Sequence, residues 1–251
     1  MRALLLAAGL GTRLRPITET VPKCMVPILG RPLLDIWLDL LLGQGIERVM
    51  INTHYLADRV KDHVTRSPWA HRTDIVHEES LLGTGGTVLA NAGFFGDGPF
   101  LVAHADNLTQ FDLKAFVARH MSRPEGAHIT MMTFDTDTPE TCGIVELDET
   151  GLVTALHEKV DNPPGNRANG AIYLFDQEAL RFLRGLGKPV IDLSTEVLPH
   201  FVNRMNTFHN AGYFRDIGSP KMLQQAERDL VGKGWFAGDD AGVISRVGAG
   251  R

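Results

Sequence analysis

RALLLAAGLGTRLRPITETVPKCMVP, residues 2–27, carries the decisive signal for the fold. A short apolar run, Ala3 to Ala8, stops at a turn containing Gly9 and Gly11. An apolar run that ends at glycine reads as a buried strand entering a turn. The two glycines let the backbone bend and leave its N–H groups free to face anionic oxygens. Arg13, Arg15 and Lys23 add three cations in the same segment, and Pro16, Pro22 and Pro27 stiffen it. Clustered cations beside free N–H groups suit a polyphosphate, whose charge must be neutralised before another anion can approach. Two other phosphate-binding patterns do not fit. A dinucleotide fingerprint needs a third glycine where this chain has Leu14, and the Walker pattern G-x-x-x-x-G-K-[ST] is absent.

Outward from this segment, strand and helix patterns alternate. Residues 2–6 read as a strand and 32–42 as a helix with proline at its first position and Gly43 and Gly45 at its end. Asp35 and Asp39 are that helix's only charges and share one stripe, so the rest is expected to be buried. Strands follow at 47–53, 73–77, 99–106 and 127–134, with helices at 56–64, 85–95 and 113–121. Strands apolar throughout, joined by helical crossovers, imply a doubly wound α/β layer with a parallel sheet covered on both faces. The second half changes character: a hairpin over 143–158 turns around Asp148–Gly151, and 168–175 is a strand. Helices are expected at 176–185, 194–204 and 219–230, and a last strand at 212–216. The segment 231–251, rich in glycine and small residues, is expected to be irregular.

Composition narrows the class. Two cysteines, Cys24 and Cys142, make no disulfide framework and point to a reducing cytoplasm. A formal net charge of -5 argues against a nucleic-acid binder. The apolar N-terminal run is too short for a signal peptide, and no stretch is long enough for a transmembrane helix, so no membrane partner is expected. A G-x-S-x-G elbow and zinc-type Cys/His spacing are both absent. Most of the ten histidines are expected at the surface.

Further candidates lie in HADN (104–107), EESLLGTGGTVLANA (78–92), HEK (157–159), ANGAIYLF (168–175) and FRDIGSP (214–220). Asp106, at a strand end where ligands of open α/β sheets bind, either holds a cation or caps the next helix. Asp216 reads as a cap of the helix that starts near Ser219–Pro220. His104 reads as packed beside its strand, with contact to a nucleotide or sugar as the alternative. Gly83, Gly85 and Gly86 open a helix, whose N-terminal backbone groups are then available to a ligand.

The run G-x-G-T-R-L-x-P…P-K…P, followed in order by Asp106, Glu158–Lys159, Asn169–Gly170 and Asp216, resembles the signature of the sugar-1-phosphate nucleotidyltransferases, or NDP-sugar pyrophosphorylases. The resemblance extends to about residue 225. It implies a Rossmann-like three-layer α/β/α sandwich of the glycosyltransferase-A kind, with a mostly parallel mixed sheet. One domain over 1–230 would comprise a nucleotide-binding half (1–135) and a sugar-phosphate-binding half (136–230). The implied chemistry is attack by a sugar-phosphate oxygen on the α-phosphorus of a nucleoside triphosphate. Arg13 would hold the departing pyrophosphate and Lys23 would neutralise the groups being joined.

The resemblance further implies Mg²⁺ on Asp106 and Asp216. Nucleotide contacts fall to Ala8, Gly9, Gly11, Thr12, Arg13, Glu79, Gly83, Thr84 and Asp106, and sugar-phosphate contacts to Gly143, Glu158, Lys159 and Asn169. This chain departs from the pattern at Ala105, where the family often has glycine. L-G-T-G-G (82–86) looks like the segment of mannose- and heptose-1-phosphate guanylyltransferases, which favours GTP and a role in bacterial surface glycans. Uridylyl or thymidylyl transfer, and a non-catalytic sugar-nucleotide binder, are the alternatives. A monomer or homodimer is expected, since no C-terminal β-helix repeat is present.

Overall fold

The computed structural model describes residues 1–232. The expected irregular segment therefore lies outside the described residues, apart from Val231 and Gly232. In chain order the elements are β1 (Arg2–Leu6), β2 (Pro27–Ile28), β3 (Arg31–Pro32), α1 (Leu33–Gly43), β4 (Arg48–Thr53), α2 (Ala57–Arg66), β5 (Thr73–His77), α3 (Gly83–Ala90), α4 (Ala92–Phe95), β6 (Phe100–His104), β7 (Asn107–Thr109), α5 (Leu113–Met121), β8 (Ile129–Asp135), β9 (Gly143–Leu147), β10 (Val153–Glu158), β11 (Arg167–Phe175), α6 (Gln177–Gly185), β12 (Met205–His209), β13 (Phe214–Asp216) and α7 (Pro220–Leu230).

One nine-stranded sheet organises them, in the order β10-β9-β11-β6-β1-β4-β5, with β8 beside β11 and β12 beside β8. Strands β6, β1, β4 and β5 are mutually parallel. Strand β11 runs antiparallel to β6 and to β8, so the sheet is mixed. The sequence halves 1–135 and 136–230 share this sheet. Adjacent strand residues point to opposite faces. Leu5 joins a core with Trp37 of α1, Val60 of α2, Phe116 of α5 and Ala226 of α7. Leu4 joins a second core with Val88 of α3, Tyr173 of β11 and Leu180 of α6. Two covered faces explain why Ala3–Leu6 of β1 and Phe100–Ala103 of β6 are all apolar, and the α/β sandwich is as expected.

Three expectations need correction, and one strand was not expected. The helix over 85–95 starts at Gly83 and breaks at Asn91 into α3 and α4. The helix over 194–204 is a π turn (Leu193–Val197) followed by a 3₁₀ turn (Leu198–Phe201). Pro199, which has no N–H to donate, sits in the second turn. The chain then enters β12, parallel to β8. Its sequence MNTFH does not alternate, because Met205, Asn206 and Thr207 are all buried. The strand expected at 212–216 is only β13, and it pairs with β7 in a separate two-stranded ladder.

Candidate active site

At the carboxyl ends of β1, β4 and β6 the α3 side of the sheet opens into a cavity of about 220 Å³. Its walls include Ala7, Ala8, Gly9, Lys23, Asn52, Glu78, Leu81, Gly83, Thr84, Thr87, His104 and Asp106. The position is that of ligand sites in open α/β sheets generally.

The glycine-rich turn forms one end. Gly11 adopts φ +65°, and a Cβ there would lie 2.9 Å from Thr18 Cγ2 and 3.1 Å from Lys23 Cβ. Thr18 Oγ1 donates to the Gly11 carbonyl at 2.7 Å. Gly9 has open space where a side chain would be, and it lines the cavity. A 3₁₀ turn (Thr12–Leu14) then carries Arg13 outward, and a second (Lys23–Met25) turns Lys23 inward. Gly11, Thr12 and Arg13 do not line the cavity. Arg13 and Asp216 instead both approach Gly218, where a Cβ would be 3.2 Å from Arg13 Nη2 and 2.7 Å from Asp216 Oδ2. Cys24 is buried, which pushes its thiol up to about 12, so it is no nucleophile.

Lys23 forms an ion pair with Asp106. Burial opposes the Asp106 charge, but the Lys23 ammonium and His104 hold its carboxyl below the usual range. Asp216 behaves oppositely: burial, then the Asp106 charge, push its carboxyl up against the pull of Lys23 and Arg13. Neither aspartate caps a helix. Asp106 leads into β7, and Ser219 caps α7 by accepting from the Met222 N–H. Two carboxylates in each other's field, one with raised proton affinity, fit a shared divalent cation. Among the described residues no group of three or more His, Cys, Asp or Glu is placed to hold a metal, so waters and phosphate oxygens would have to complete its shell.

The sugar-side candidates do not line this cavity. Gly143 and Glu158 face each other across β9 and β10, and a Cβ on Gly143 would lie 2.6 Å from Glu158 Oε2. Asn169 donates to the Tyr173 hydroxyl at 2.8 Å and accepts the Ala171 N–H at 2.9 Å. Burial pushes the Tyr173 hydroxyl up, as do the nearby charges of Glu158 and Asp192. Lys159 is exposed, has φ +49°, and lies 3.4 Å from Glu158.

Three placements differ from the sequence reading. Glu79, expected at the nucleobase, is exposed and outside the cavity, whereas its neighbour Glu78 is 5% exposed and lines it. The Glu78 N–H donates to the Thr53 carbonyl, so the chain is still extended beyond β5, and successive side chains there face opposite ways. The N–H groups of Gly85 and Gly86 are not available to a ligand. Both donate to the Ile191 carbonyl, at 2.8 and 3.1 Å. Finally, His104 is not packed away but faces the cavity, and burial holds its imidazole pKa down. Asn52 and Thr87, which the sequence did not single out, also line the cavity. Polar residues at the buried end of β4, Asn52 and Thr53, were the available signal for Asn52.

No helix among the described residues is long and apolar enough to cross a membrane. The chain is 31% identical to mannose-1-phosphate guanylyltransferase of Mycobacterium tuberculosis, over 91% of this chain and 64% of that protein. It is 29% identical to a UTP–glucose-1-phosphate uridylyltransferase of Synechocystis, over 93% of this chain and 64% of that one. It thus spans less than two thirds of the length of these relatives. The crystal structure of HddC from Yersinia pseudotuberculosis superposes with a TM-score of 0.76 at 24% identity, covering 91% of this chain and 99% of HddC, which is a likeness of fold. Residues 2–232 match the family described as nucleotidyl transferase, and the chain belongs to that family.

Proposed function

We propose that this protein transfers a nucleotidyl group from GTP to a sugar 1-phosphate, giving a GDP-sugar and pyrophosphate. The observation that carries the choice of base is the buried Glu78 carboxylate in the cavity wall. A carboxylate accepts hydrogen bonds and cannot donate them. Guanine offers adjacent N1–H and N2–H donors to such a group. Uracil offers one N–H flanked by two carbonyls, which a carboxylate repels. The similarity to a guanylyltransferase supports the same reading, whereas that to a uridylyltransferase supports UTP as the second reading.

In the transfer, a sugar-phosphate oxygen attacks the α-phosphorus as the bond to the β-phosphate oxygen breaks and pyrophosphate leaves. Lys23 neutralises the α-phosphoryl group, Arg13 takes the departing pyrophosphate, and Gly9 allows the backbone a close approach to the phosphates. Asp106 and Asp216 would hold Mg²⁺, which supplies charge neutralisation at the phosphates. Glu158 and Asn169 accept and donate to sugar hydroxyls, and Lys159 meets the sugar phosphate. The product suits the assembly of bacterial surface glycans.

The test is pyrophosphate release measured with GTP, UTP, dTTP, CTP and ATP against a panel of sugar 1-phosphates, with and without Mg²⁺. Turnover that requires GTP, a sugar phosphate and metal together supports the proposal. Turnover with UTP but not GTP would refute the base assignment.

A further inference from the structure

Asn52 is the penultimate residue of β4, between Leu6 of β1 and Val76 of β5. It is 3% exposed. A central parallel strand normally places an apolar side chain at such a position, and a buried amide is costly unless its hydrogen bonds are made. Here both ends of the amide are engaged. Oδ1 accepts the Ala7 N–H at 2.7 Å, directly beyond the last rung between β1 and β4. Nδ2 donates to Glu78 Oε1 at 2.9 Å and approaches Thr87 Oγ1 at 3.3 Å. The single Thr87 hydroxyl proton has two acceptors in reach, Glu78 Oε1 at 2.6 Å and the Gly83 carbonyl at 2.9 Å, and Oε1 is the nearer.

The two oxygens of Glu78 are therefore unequal. Oε1 faces two side-chain donors, whereas among the described residues Oε2 receives the Leu82 N–H alone, at 3.3 Å. A carboxylate oxygen has about two acceptor sites, so Oε1 is filled and Oε2 retains capacity. Asn52 also replaces the backbone rung that would otherwise continue β1 against β4, and it fixes Ala7 at the start of the loop leading to Gly9.

The geometry points to Asn52 as a positioning residue for base selection. By filling Oε1 together with Thr87, it leaves Oε2 as the acceptor offered to the base. By holding the Ala7 N–H, it keeps the phosphate loop in register with that acceptor. The ligand class is a nucleoside triphosphate whose base carries adjacent N–H donors. This inference rests on the assignment of Glu78 to the base made above.

The test compares GTP with ITP, which lacks the 2-amino group, by calorimetric binding and steady-state kinetics. The proteins are the parent, E78Q, N52A, N52D and T87V, each checked for folding by thermal unfolding. We expect N52A to reduce the GTP-over-ITP binding preference at least about tenfold, the scale of one lost hydrogen bond to a charged group. The triphosphate KM should move more than kcat. N52D, which keeps an acceptor for Ala7 but sets a second carboxylate beside Glu78, should reduce the preference at least as far. T87V should act in the same direction and serves if the Asn52 variants do not fold. Equal weakening of GTP and ITP in N52A or T87V would mean a merely structural role and overturn the inference. If E78Q abolishes the preference while N52A and T87V keep it, only the positioning role falls. If E78Q leaves the preference unmoved, the base assignment falls as well.

Discussion

The Ile217 N–H donates to the Asp106 carbonyl at 2.9 Å, and that bond holds Asp216 beside Asp106. The pairing of Asp216 with Asn107 in the β13–β7 ladder fixes the same approach. Segments distant in the chain thus deliver two carboxylates to one place, next to Lys23.

Asp106→Asn and Asp216→Asn should each lower kcat by about a hundredfold or more, the scale seen when a group stabilising transition-state charge is removed. Chelation should silence the parent protein, and added Mg²⁺ should restore it. Steady-state rates across a Mg²⁺ titration provide the check. Full activity in both variants would remove the metal assignment.

Lys159 is exposed, and its ammonium lies 3.4 Å from Glu158. Lys159→Ala should leave thermal stability unchanged, because an exposed pair contributes about 0–1 kcal/mol. Its sugar-phosphate KM should rise about tenfold or more, the value of a charge-assisted hydrogen bond, with a much smaller change for the triphosphate. Comparable shifts for both substrates would contradict its place at the sugar phosphate.

A Cβ on Gly86 would lie 2.2 Å from the Pro189 carbonyl oxygen, a backbone atom that cannot swing aside. Gly86→Ala should destabilise the protein by about 1–3 kcal/mol, the usual cost of overpacking. Gly93, in α4, has nothing within 4 Å of its Cβ position, so Gly93→Ala should be neutral or stabilising by about 0.5–1 kcal/mol. Denaturant unfolding of the two variants gives the comparison.

His120 is fully buried, with Nδ1 2.8 Å from Thr130 Oγ1. Burial, aided by the Arg123 charge, lowers its pKa from 6.5 to about 4. Between those values the unfolded chain takes up a proton that the folded chain refuses. Its contribution is therefore complete above pH 6.5 and disappears as the pH falls toward about 4. The loss reaches up to about 3 kcal/mol. His120→Gln should flatten stability across that range in urea titrations, and an unchanged slope would exclude His120 as its source.

Local patterns determined much of this protein. The turn after β1, the strands β1, β4, β5, β6 and β8, the helices α1, α2 and α5, and the β9–β10 hairpin are legible in the sequence. Glycine, proline and the spacing of apolar residues constrain nearby backbone directly. What the sequence left open depended on contacts between distant segments. MNTFH becomes β12 only because β8 is beside it and its polar residues are buried. Gly85 and Gly86 resemble a free helix start, yet Ile191, from a segment some hundred residues later, occupies their N–H groups. Glu78 and Glu79 are chemically alike, and only the sheet's extension past β5 turns the first into the cavity and the second to solvent. The meeting of Asp106 with Asp216 is of the same kind: each side chain's chemistry is written locally, but its neighbours are set by long-range pairing, which no short window of sequence contains.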